Sequence, residues 1–223
     1  MMFDRTIQLI GQEAFDRMQQ VRVILFGVGG VGGWCAETLV RTGIQHLTIV
    51  DFDTINETNI NRQIVATGNN IGLSKVVQMR ERLLAINPSA DIVAIDQRYC
   101  AETSTNFQLS SFNYIIDAID SVDDKVLLIH HACESGATLF ASMGAGRKTD
   151  TEQIRISEFW KVEGCPLARA LRTKMKKTGL MPAHKFQCVW SPELSAESGT
   201  IAPIVGLFGM KLANLVINDI IHS

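Results

Sequence analysis

Runs of β-branched and aromatic residues alternate along this chain with stretches whose apolar positions recur at helical spacing. Val21 to Phe26 is a short apolar run that suits a strand covered on both faces. The segment Gly27-Val28-Gly29-Gly30-Val31-Gly32 follows at once, Trp34 to Thr42 is good helix material, and Gly43 can stop that helix. His46 to Val50 is a second apolar run and ends in Asp51. Gly72 to Ile86 reads as a helix with Val76, Met79, Leu83 and Ile86 at helical spacing, ended by Asn87-Pro88. Ile92 to Ile95 and Tyr114 to Ile116 read as strands, Val126 to Ser135 as a helix, and Thr138 to Ser142 as a further strand. Strands alternating with helices predict a parallel sheet wound on both faces.

From Thr151 the pattern becomes irregular. Ile154 to Ile156 reads as a strand, Pro166 to Lys177 as a basic helix, Phe186 to Trp190 as a strand, and Ile201 to Ile221 as a final apolar helix. Residues 4–19 read as a short amphipathic arm or helix. The chain shows no internal repeat, low-complexity tract or linker. Residues 1–223 are therefore expected to form a single α/β domain, a Rossmann-like, doubly wound, largely parallel sheet with an irregular α+β C-terminal part.

Composition narrows the function classes. A formal net charge of -2 gives no global pull toward nucleic acid, so any such contact must be local. Five cysteines with no Cys-x-x-Cys pair point to reduced thiols in a cytosolic, cytoplasmic protein rather than a disulfide framework. The start, MMFDRTIQLIGQEAF, carries early charges and no long apolar core, unlike a signal peptide. The C-terminal run is apolar enough to weigh as a membrane span. Lys211, Asn214, Asn218 and Asp219 interrupt it and Gly206 and Gly209 loosen it, so a helix buried against the sheet is expected, with no stable membrane insertion.

Strand, glycine turn, helix, strand and acid together have the physics of a nucleotide phosphate site. Gly27 permits a tight turn, Gly29 lets backbone approach phosphate, Gly30 continues the loop, and Gly32 lets the helix lie close to the strand. Free N–H groups at the helix start attract an anion, and Asp51 can accept from ribose hydroxyls. Asp53, Asn59, Arg62, Lys75, Asp117 and Asp120 fall on loops expected at the same sheet edge. Two cations and several carboxylates around a phosphate loop fit a triphosphate with Mg²⁺ better than a dinucleotide. Each has a plainer reading: Lys75 a solvated charge, Arg62 a loop salt bridge, Asp120 a helix cap, Asp53 a turn former. Cys188 reads either as a nucleophile or as a buried, unreactive thiol in an apolar strand. Trp160 and Trp190 read as core or as platforms for a base, and His130 and His131 as structural.

In order and spacing, GVGGVG, TIVDFD, NETNINRQ, GLSKV and DAIDS resemble the E1-like activating-enzyme superfamily, whose members adenylate carboxylates with MgATP. The resemblance implies that Asp51 binds ribose, that Asn59, Arg62 and Lys75 contact phosphates, and that Asp120 holds Mg²⁺. It also implies a homodimer in which Arg5, in an RxxxLxG arm, reaches into the partner's ATP site. Members that activate ubiquitin-like sulfur carriers usually keep two Cys-x-x-Cys pairs for zinc, which are missing here. CPLARALRTKMKKTG and CVWSPE instead look like the tRNA threonylcarbamoyladenosine dehydratase branch. That resemblance implies ATP-driven cyclisation of the threonylcarbamoyl group at position 37 of tRNA through an acyl-adenylate. It makes Arg169, Arg172, Lys174, Lys176 and Lys177 candidates for following the RNA backbone, against the plainer reading of a solvated helix face. Adenylation of a sulfur-carrier C-terminus, with a sulfur-transfer partner protein, is the alternative; an NAD-linked oxidoreductase would leave Arg62, Lys75 and Asp120 unexplained.

Overall fold

The computed structural model describes residues 2–223. Seven strands form one sheet: β1 (Arg22–Phe26), β2 (His46–Asp51), β3 (Asp91–Asp96), β4 (Tyr114–Asp117), β5 (Thr138–Ser142), β6 (Arg155–Glu158) and β7 (Gln187–Trp190). Their order is β3-β2-β1-β4-β5-β7-β6, parallel throughout except for the antiparallel β6–β7 pair at one edge. The helices are α1 (Asp4–Ile10), α2 (Gln12–Gln20), α3 (Gly30–Thr42), α4 (Lys75–Ile86), α5 (Val122–Glu134), α6 (Pro166–Thr178) and α7 (Ala202–His222). The doubly wound α/β class is as expected.

Alternation along β1 shows how one sheet serves two cores. Val23 and Leu25 join α3, α4 and α7 on one face, while Ile24 and Phe26 join α5 and α6 on the other. The long C-terminal helix belongs to the first core. Its residues Ile204, Phe208, Leu212, Val216 and Ile220 recur every fourth position and are all buried, which is the stripe of a helix packed on a sheet and a neighbouring helix. Length and apolarity alone would let it cross a bilayer, but half-burial against α3 and the sheet gives those residues their partners. Tyr114 ties α7 to β4 by donating its hydroxyl hydrogen to Asp219 at 2.9 Å.

Several boundaries differ from the sequence expectation for local reasons. Residues 4–19 break into two helices at Gly11, which sits at φ +84. The helix expected from Gly72 begins only at Lys75, because Gly72 takes a positive φ and Ser74 bridges Thr54. The helix expected from Val126 begins at Val122, with Ser121 at the N-cap position and Asp123 and Asp124 in its first turn.

Candidate functional site

The chain runs outward from β1 to β2 and β3 on one side and to β4 and β5 on the other. Between the carboxyl ends of β1 and β4 this reversal leaves a crevice, where ligands bind in open α/β sheets. Its volume is about 610 Å³. The glycine turn forms its floor. Gly27 takes φ +88 and hydrogen-bonds back to Val50 at 2.8 Å. A methyl group on Gly32 would lie 1.8 Å from the Gly27 carbonyl oxygen, so the first helical turn can follow the strand this closely only without a side chain there. Helix α3 consequently starts at Gly30, four residues earlier than Trp34. Gly32→Ala is expected to open the turn, destabilising the fold by about 1–3 kcal/mol. Denaturant titration and nucleotide binding together would check it, since both should weaken.

Asp51 closes the far wall. Its Oδ2 accepts from Val28 N–H at 2.6 Å and its Oδ1 from Asp53 N–H at 2.9 Å, which holds the carboxylate against the glycine turn. Lys75 is not a solvated charge. It is 5 % exposed, and its Nζ donates to Asp53 Oδ2 at 2.7 Å. Asp53 thus positions the lysine at the start of α4. Among the described residues Arg62 has no carboxylate partner; its Nη1 donates to Thr58 O at 2.7 Å and Asn61 Oδ1 at 2.9 Å. Asn59 is buried, and its Oδ1 accepts from Asn56 N–H, closing the turn that carries Arg62. Asp51, Asp53, Asn59, Arg62, Lys75, Gly27, Gly29, Gly30 and Asp120 all line the crevice, whereas Gly32 underlies it and Arg5 lies exposed on α1 away from it.

Four carboxylates line the crevice, and three have partners: Asp51 and Asp53 as above, and Asp124 with Arg98 at 2.8 Å. Asp120 is exposed at the mouth of the loop after β4, and the capping position it could have taken belongs to Ser121. Asp117, weighed with it, faces away. It is fully buried and paired with the equally buried Lys125 at 2.8 Å. Lys125 also donates to the carbonyls of Asp117 and Ile119, at 3.3 and 3.0 Å, so this pair fixes the loop bearing Asp120.

The reading of Cys188 as a nucleophile is corrected by its surroundings. It is 0 % exposed on β7, does not line the crevice, and donates its thiol hydrogen to Ser157 O. Burial pushes its thiol up to about 12, so thiolate is scarce at neutral pH. Cys188→Ala is expected to retain turnover, and denaturing gels without reductant should show no thioester adduct.

The basic helix divides as well. Arg172 points inward, donating to Phe159 O at 2.5 Å and Val162 O at 2.8 Å with its guanidinium over the Phe159 ring, and Lys174 is paired with Asp123 at 2.7 Å. Its partners withdraw Arg172 from the RNA-facing set, whereas Lys174 stays partly exposed in a surface ion pair. Arg169, Lys176 and Lys177 are exposed. Trp190 is core, bonded to Ser157 Oγ; Trp160 is more than a third exposed. His131 bonds the Tyr99 hydroxyl and His130 donates to Met181 O, consistent with structural roles.

Sequence reasoning missed Gln63, Arg98, Ser121 and the Ser142–Gly146 shelf, all of which line the crevice. Gln63 adjoins Arg62 in NRQ and had a local signal; the shelf shows no chemistry until β5 is placed beside β4.

A model of the ThiF family matches residues 3–222. The tRNA threonylcarbamoyladenosine dehydratase of Bacillus subtilis (strain 168) is 35% identical over 191 residues, covering 86% of this chain and 74% of its own. The enzyme of that name from Escherichia coli (strain K12) is 36% identical over 196 residues, covering 86% and 73%. The crystal structure of the E. coli enzyme, TcdA, in complex with ATP superposes with a TM-score of 0.93 at 31% identity, covering 99% of this chain and 94% of that one. With the glycine turn, Asp51, Arg62, Lys75 and Asp120 gathered at one switch point, the chain belongs to the ThiF family of E1-like enzymes, on the branch of the tRNA threonylcarbamoyladenosine dehydratases.

Proposed function

We propose that this protein dehydrates the N6-threonylcarbamoyl group at position 37 of tRNA, using ATP, in the cytoplasm. The dehydratase relatives support the tRNA substrate, and the observation that carries the use of ATP is the division of charge in the crevice. Arg62 and Lys75 stand beside a helix N-terminus, and among the described residues Asp120 is the lining carboxylate without a protein partner. One such carboxylate together with phosphate oxygens suits Mg²⁺, which keeps most of its waters. Asp120 would hold that ion, which would offset charge on the phosphates.

The free carboxylate of the threonylcarbamoyl group attacks the α-phosphorus, and the bond from that phosphorus to the bridging oxygen breaks to release pyrophosphate. Arg62 and Lys75, with Arg5 supplied by a second copy of the chain, stabilise the charge that builds on the phosphates. The ureido oxygen then attacks the acyl carbon, the bond to AMP breaks, and the ureido N–H proton leaves to solvent. Closure of a five-membered ring is intramolecular, so holding the arm in place lowers its barrier. No cysteine is required. Arg169, Lys176 and Lys177 are the side chains placed to follow the RNA backbone. Activation of a sulfur-carrier protein would share every triphosphate contact, but the dehydratase relatives favour tRNA.

Incubation with MgATP and threonylcarbamoylated tRNA tests the proposal. The modified nucleoside should become lighter by one water while AMP and pyrophosphate accumulate. ATP turnover stimulated instead by a protein ending in Gly-Gly would replace it with the sulfur-carrier reading.

A further inference from the structure

Beside the turn that carries Arg62, the described residues of the crevice include two uncharged side chains, each with a polar atom buried without a partner. Gln63 is 6 % exposed, and its Oε1 accepts no hydrogen bond. Thr200 Oγ1 is likewise buried and unpartnered. Both residues line the crevice. Buried polar groups in folded proteins are nearly always bonded, so two orphans in one wall ask for a ligand.

Their backbones are held in place. Gln63 N–H donates to Asn59 O at 2.9 Å, within the turn that carries Arg62. Thr200 comes from the connection between β7 and α7, and its carbonyl accepts from Asn61 Nδ2 at 3.0 Å, which joins that connection to the same turn. The Gln63 amide nitrogen lies 3.8 Å from the point where a Cβ of Gly29 would stand, beside the start of α3. Leu167, Val205 and the Gly144–Gly146 shelf complete this side.

An amide and a hydroxyl each donate and accept, and neither carries charge. They match a neutral polar group rather than a triphosphate, whose charge Arg62 and Lys75 already meet. We infer that Gln63 and Thr200 form the subsite for the hydroxyl and ureido groups of the acyl arm, seating its carboxylate beside the phosphates at the start of α3. The inference rests on the dehydratase reading.

Thr200→Val and Gln63→Met, close in size and unable to make these bonds, test it on two separate loops. Each is made in the full chain and titrated with ATP, then assayed with tRNA carrying threonylcarbamoyladenosine or its glycyl analogue, which lacks the hydroxyl. Both variants should bind ATP within about twofold of the parent. Each should lose about 10- to 100-fold in kcat/KM for the threonyl substrate, as expected for one lost buried hydrogen bond or more. Thr200→Val should also lose the parent's preference for the threonyl over the glycyl substrate. Parental kcat/KM and undiminished preference in both variants would overturn the subsite. A parent protein that binds ATP but cyclises neither tRNA would overturn the dehydratase reading and the subsite with it.

Discussion

Replacing Arg62 by alanine is expected to lower kcat/KM for carboxylate activation about 100- to 1000-fold, with little change in stability. The geometry separates the two effects. Arg62 bonds only to a carbonyl and an amide oxygen, and no carboxylate depends on it. Its loss therefore strands no buried charge, and the stability change should stay within about 0.5 kcal/mol, as for other surface positions. Its charge, by contrast, is not spent inside the protein, and it faces a crevice where negative charge develops. Most of the loss should appear in kcat, because the interaction is stronger in the transition state than with bound ATP. Arg62→Lys should recover only part of it, since an ammonium lacks the planar fork that grips two phosphate oxygens. Pyrophosphate exchange and thermal melting on the same samples check both halves. Full exchange activity in Arg62→Ala would remove Arg62 from the mechanism.

Lys125→Met should be the most damaging single change away from the crevice, costing about 3–5 kcal/mol at neutral pH. Asp117 and Lys125 are both fully buried, and removing the cation strands a carboxylate whose Oδ2 already lacks a partner. Burial holds the Asp117 carboxyl above the usual carboxylate range, and Lys125 opposes that rise. Without Lys125 the carboxyl rises further. A carboxyl raised in the folded state binds its proton more tightly there than in the unfolded chain. The variant's deficit is therefore full above that raised value and shrinks as pH falls through it. Asp117→Asn combined with Lys125→Met should regain most of the loss, since no uncompensated charge remains. Denaturant titrations across pH check this; a deficit that widens in acid would contradict it. Activity should fall in the single variant even where it is folded, because the lysine also bonds the Ile119 carbonyl beside Asp120.

The strand-turn-helix-strand unit was legible because its signals are local: a β-branched run, glycines at fixed spacing and an acid at a strand end. The same holds for Asp51, Asn59, Arg62, Lys75 and Asp120, which fall on strand ends, loops and a helix start that a parallel sheet must gather at one edge. What escaped depends on pairs distant in sequence. The place of Lys75 at the sheet edge is legible, but its ion pair with Asp53, across a long loop, is not. Arg172 reads as part of a basic stripe until the Phe159 and Val162 carbonyls are seen to occupy it. The Asp117–Lys125 pair was invisible for another reason: burial, not residue type, makes an ordinary aspartate and lysine structural. Boundaries moved where acids in a first turn extended a helix, as at Asp123 and Asp124, or where a glycine turn replaced a side chain, as at Gly30.

The account stands on one claim, that the crevice presents the α-phosphorus of ATP to a carboxylate. Threonylcarbamoylated tRNA labelled with ¹⁸O in that carboxylate tests it most directly. Attack on the α-phosphorus followed by ring closure leaves one labelled oxygen on AMP, so mass spectrometry should find heavy AMP in step with cyclised nucleoside. Unlabelled AMP, or ADP carrying no label beside labelled inorganic phosphate, would place the attack elsewhere and contradict the account.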